Sequence, residues 1–133
     1  MFSSLPSCLG YPRFRRLCLT AAALMYVTIL VSGSIPGARA DIGRYASGAL
    51  LHSTAYSVLA CLCYLGITGS ATRRALKAVA TIALMGAGDE FVQSFFPYRT
   101  ADVRDWAVDV VAAVVTTALL SFVLRQDIAA AEA

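Results

Sequence analysis

The chain has 133 residues, of which 59% are hydrophobic and only 14% charged, and its mean hydropathy is +0.70. Soluble domains are about half apolar and about a quarter charged, a globule this small has too much surface to hide the difference, and disorder needs the opposite composition. The net charge of +3 rests on scattered basic residues, which argues against nucleic-acid binding and leaves a membrane protein with the lipid bilayer as its first partner.

Four apolar stretches follow in chain order. Residues 17–38 carry no formal charge, and residues 45–72 carry none either, with His52 their one titratable imidazole. Residues 77–96 are interrupted, beyond Lys77, by Asp89 and Glu90, and residues 105–124 by Asp105 and Asp109. A helix rises 1.5 Å per residue, so about 20 residues cross a hydrocarbon core of about 30 Å. Each stretch is long enough. None alternates with period two, which excludes a β-barrel reading, and apolar residues surround each helix, as lipid on most sides requires. The expectation is an all-α four-helix transmembrane bundle with short loops, broken at Pro36-Gly37, between Gly66 and Ser70, and at Pro97. Residues 1–16 read as a basic leader, 17–124 as the membrane domain and 125–133 as a tail. Ala80, Ala83 and Ala87 on the third helix, with Gly86 and Gly88 beside them, and Ala112 and Ala113 on the fourth, are small residues of the kind that let membrane helices approach.

Basic residues accumulate on the cytoplasmic side of short loops. Arg13, Arg15, Arg16, Arg73, Arg74, Lys77 and Arg125 fall on one side of the four stretches, and Arg39, Arg44, Arg99 and Arg104 on the other. Both termini are therefore expected inside. A rival reading takes the first stretch as a cleavable signal ending at Ala38-Arg39-Ala40; it leaves the orientation of the later helices unchanged. Cys8, Cys18, Cys61 and Cys63 lack metal-ligand spacing. They read as apolar thiols, with no structural disulfide, metal site or cofactor expected.

A charge at mid-depth in a membrane costs roughly 2.5–3.5 kcal/mol on the insertion scale, so the polar residues of the stretches need an explanation. With alternating helices they fall at one depth. His52 and Tyr56 lie near the outer end of the second helix, and Asp89, Glu90 and Gln93 in the outer half of the third, with Glu90 and Gln93 on one face. Asp105 and Asp109 lie near the outer end of the fourth. Arg99 and Arg104, in the loop between the third and fourth helices, are the available cations. An arginine is expected to pair with Glu90 or Asp105 through a two-pronged hydrogen bond. His52, Glu90 and Asp105 are the candidate catalytic groups; Tyr56, Asp89, Gln93, Arg99, Arg104 and Asp109 are candidate binding residues. The bland alternative is a polar network that only ties helix ends together.

The run from Gly88 to Asp109 resembles the signature of the VanZ-like family. Glu90, Gln93, Pro97, Arg99 and Asp105 match its pattern; Asp109 stands at an Asn position and Ala112 at a Gly position, which are departures. Ser34–Gly37 resembles the family's Pro-Gly turn and His52–Tyr56 its His and Tyr helix, while Ala49 stands where a lysine is frequent. The resemblance implies a small multi-pass protein of the bacterial plasma membrane, from a family whose founding member is associated with low-level teicoplanin resistance. Three functions compete: binding of an envelope component, such as a lipid-linked cell-wall intermediate or a head group; a membrane enzyme acting on such a substrate; and a small transporter. The last is weakest, since the acids sit near one end and no inverted repeat is visible.

Overall fold

The computed structural model describes residues 11–37, 47–99 and 101–131, with side chains up to residue 124. Four α-helices account for most of it: α1 Pro12–Gly33, α2 Gly48–Gly66, α3 Ala71–Gln93 and α4 Val103–Ala131. The Ala38-Arg39-Ala40 site, Cys8, Arg39, Arg44 and the side chain of Arg125 lie outside the described residues.

The helix ends follow from local chemistry. Pro12 opens α1, where its missing N–H costs nothing, so the helix takes in Arg13, Arg15 and Arg16. Ser47 caps α2 by accepting the Leu50 N–H at 3.2 Å, and Ser70 caps α3 by accepting that of Arg73 at 3.4 Å. Between them Gly69 turns the chain at φ +127, a conformation open to glycine. Asp102 accepts the Arg104 N–H at 2.8 Å and so starts α4. No Gly or Pro follows until the end of that helix, which runs on to Ala131.

Helix α2 is central and packs on the other three, while α4 packs on α2 and α3, and α1 chiefly on α2. The core between them holds Tyr56, Leu59, Ala60, Cys63 and Tyr64 of α2, Ala22 of α1, Ala78 and Ile82 of α3, and Ala113 and Leu124 of α4. Cys18 and Cys63 are buried free thiols and Cys61 a partly buried one.

Helices α1, α2 and α4 are each long and apolar enough to cross a membrane. Their apolar side chains point outward: Leu24, Val27, Leu50, Val111, Leu119 and Phe122 are all exposed, which water would not tolerate in such number. Helix α3 is more polar, yet it covers the same distance. At its start Arg74 donates from Nε and Nη2 to the carbonyl of Tyr64, at 2.9 and 2.7 Å, near the end of α2. Toward its end Asp89 meets Tyr56, which is nearer the start of α2. Its 23 residues extend about 34 Å, antiparallel to α2. Any pair of crossings by α2 and α4 therefore carries α3 across as well.

The small residues act at fewer places than their spacing suggests. Ala80 and Ala87 are exposed. Close approach falls instead on Gly86, where a Cβ would stand 2.8 Å from Asp109 Oδ2 and 3.2 Å from Trp106 Cδ1, and on Gly88, where it would stand 2.6 Å from the Tyr26 hydroxyl. Gly86→Ala is expected to destabilise the bundle by about 1–3 kcal/mol through overpacking. Ala87→Leu, on the exposed face, should leave the thermal unfolding of detergent-solubilised protein unchanged.

Candidate functional site

At the His52 end, side chains from three helices meet. His52 Nδ1 lies 3.0 Å from Asp109 Oδ1, and its Nε2 lies 3.6 Å from Asp105 Oδ2. Asp105 and Asp109 are four residues apart, so one face of α4 presents both carboxylates to one imidazole. Asp109 is fully buried, and its carboxylate is the stronger contact. Tyr56, one turn along α2, stacks parallel to the imidazole at 5.9 Å and donates its hydroxyl proton to Asp89 Oδ2 at 3.4 Å. An intramembrane carboxylate is tolerated only where such partners replace water.

Adjacent residues on α3 diverge by about 100°, and the structure uses this. Asp89 and Gln93, both buried, face α1 and α2, whereas Glu90 faces the start of α4. There Glu90 Oε2 accepts the backbone N–H of Asp102 at 2.6 Å. Of the two acids expected to pair with an arginine, Glu90 or Asp105, Glu90 is corrected: a backbone donor at the mouth of α4 holds its Oε2, and that donor has no sequence signature. The expected grouping of Glu90 with Gln93 is corrected in the same way, since Gln93 goes with Asp89.

Between α1, α2 and α3 lies a cavity of about 210 Å³. Ile29, Ser32 and Gly33 form its α1 wall; Gly48, Leu51, His52, Ala55 and Tyr56 its α2 wall; Asp89 and Gln93 its α3 wall; Arg99 enters from the loop. Gly33 lies beside the charged groups: a Cβ there would stand 3.9 Å from both Arg99 Nη2 and Asp89 Oδ1, at ordinary contact distance. Gln93 Oε1 is buried without a hydrogen-bond partner. Arg104, by contrast, does not join: its side chain is exposed, and its backbone N–H is engaged by Asp102.

Sequence reasoning missed several supports. Trp106 Nε1 donates to the Ala83 carbonyl at 3.0 Å, and Tyr26 Oη to that of Met85 at 2.9 Å, fixing α4 and α1 against α3. Tyr98 Oη donates to the Ser34 carbonyl at 2.6 Å, which ties the Arg99 loop to the end of α1. The available signal was chemical for Trp106 and Tyr26, half-buried residues whose polar tips need partners; Tyr98 is exposed and gave none.

The protein contains a single histidine. Because the Asp109 carboxylate accepts from Nδ1, the neutral ring is expected to carry its proton there and leave Nε2 with a lone pair. Nitrogen-15 NMR of labelled protein reads this directly. The Nδ1–H tautomer should dominate in the wild type and give way to a mixture in Asp109→Asn.

A family model described as VanZ/LLP1 matches residues 17–125. No curated protein and no solved structure matches the chain.

Proposed function

Since the chain belongs to the VanZ/LLP1 family, we propose that it sits in the bacterial plasma membrane with four crossings and both termini inside, and binds the polar part of an envelope component. The occupant is a lipid-linked cell-wall intermediate or a lipid head group, held at the extracytoplasmic helix ends. The distribution of basic residues supports this orientation.

One observation carries the reading. The cavity between α1, α2 and α3 combines an apolar wall, Ile29, Leu51 and Ala55, with a guanidinium, a carboxylate and an amide, from Arg99, Asp89 and Gln93. A lining of this kind suits an amphipathic ligand. The guanidinium supplies forked donors for phosphate, and Asp89 and Gln93 accept from hydroxyl, amide or ammonium groups. The buried Asp109 carboxylate orients the His52 ring on the wall of this cavity. Its apolar wall and polar contents also go beyond what stapling helix ends requires.

Native mass spectrometry of the purified protein with polyprenyl phosphate-linked saccharides and phospholipids tests the reading. Wild type should retain a phosphate-bearing lipid, and Arg99→Ala should weaken retention at least tenfold. Gly33→Ala should bind as wild type, because its Cβ makes ordinary contact, whereas Gly33→Leu should block the cavity without removing a charge. Equal retention by all four proteins, or losses that track reduced melting temperature, would leave the polar groups as helix staples only.

A further inference from the structure

We propose that His52, Glu90 and Asp105 form a binding site for a divalent transition ion of the zinc or manganese class. The three residues come from α2, α3 and α4. One ligand atom from each lies within 4.8 Å of the other two, so a point exists within about 2.8 Å of all three, and shifts of under about 1 Å bring them to the 2.0–2.2 Å of zinc–nitrogen and zinc–oxygen bonds. The 3.6 Å between His52 Nε2 and Asp105 Oδ2 is too long for a hydrogen bond. It is close to the edge of a tetrahedron of such bonds, about 3.3–3.5 Å.

Observations beyond that clustering point to a cation. The Glu90 carboxylate is buried within the group; its Oε2 is held by the Asp102 amide, and its Oε1 has no hydrogen-bond partner. The histidine is already oriented as a ligand: Asp109, fully buried, occupies Nδ1 and leaves Nε2 facing Asp105. A carboxylate behind a ligating imidazole is the usual outer partner in metal sites. Charge adds to this, since the carboxylates of Glu90, Asp105 and Asp109 surround one imidazole, and a divalent ion offsets the repulsion among them.

One imidazole with two carboxylates selects ions of intermediate hardness, such as Zn²⁺ and Mn²⁺, over soft ones. Three protein ligands leave a position open. The side chains of His52 and Asp105 keep 12% and 13% of their surface exposed, which gives the ion and a water a path from outside. The site borders the cavity through His52 but does not depend on what fills it.

The test uses tag-free, full-length protein in lipid nanodiscs, stripped with chelator and titrated with Zn²⁺ or Mn²⁺. About one equivalent per chain is expected above empty nanodiscs. Glu90→Gln, which keeps an acceptor for the Asp102 amide, and Asp105→Asn should each weaken binding at least tenfold. With one histidine in the chain, pulsed EPR of bound Mn²⁺ should show coupling to an imidazole nitrogen. That wild-type readout decides the matter even if a variant fails to fold. Absence of stoichiometric metal, bound Mn²⁺ without nitrogen coupling, or folded variants that bind as wild type would overturn the site.

Discussion

The hydrogen bond between His52 and Asp109 fixes the His52 half of this bundle. It joins α2 to α4 at a fully buried carboxylate, where an unpaired charge costs several kcal/mol. Other features follow from that register. Gly86 of α3 leaves the room that Asp109 needs. Trp106, on the same stretch of α4, ties to the α3 backbone. Asp105, one turn nearer the helix start, comes opposite the second nitrogen of the same ring. A register shift of α4 by a single residue would rotate its two carboxylates by about 100°, away from the imidazole.

The opposite end of the bundle is held differently. Arg74 closes α2 by donating twice to the Tyr64 carbonyl and stacks its guanidinium 4.3 Å over the same ring, while Ser121 donates to the Tyr64 hydroxyl. A helix end needs just such donors for its open carbonyls, and one cation supplies them. Among the described residues, the His52 end gathers the carboxylates of Asp89, Glu90, Asp105 and Asp109 with the His52 imidazole, the Gln93 amide and the Arg99 guanidinium. Helix closure explains only part of that, and this asymmetry is the reason to place function there.

Much of the fold was legible because membrane chemistry is restrictive. Apolar runs of spanning length must be helices, and the break between Gly66 and Ser70, separating the second from the third, was readable from its glycines. Polar residues at one depth must meet, which placed His52, Tyr56, Asp89, Glu90, Asp105 and Asp109 together before any coordinates. Facing was harder to read. Asp89 and Glu90 are neighbours in sequence that serve different partners, and periodicity says that they diverge without saying which helix each meets. Ala80 and Ala87 have helical spacing but look outward, since alanine packs against lipid as readily as against a helix. The amide of Asp102 carries no side-chain signal at all, so the sequence offers Glu90 no donor beyond the arginine it shares with Asp105 as an expected partner. Residues 52, 90 and 105 lie on three separate helices, and no ligand spacing in the chain could announce them as a group.

A double-mutant cycle on the unfolding free energy of the reconstituted protein, with His52→Ala, Asp109→Ala and both together, tests the contact on which the His52 end depends. Residues in direct contact couple by about 0.5–3 kcal/mol, and a favourable coupling of at least about 1 kcal/mol is expected here. Strictly additive losses would place the two side chains apart and remove the basis for the site.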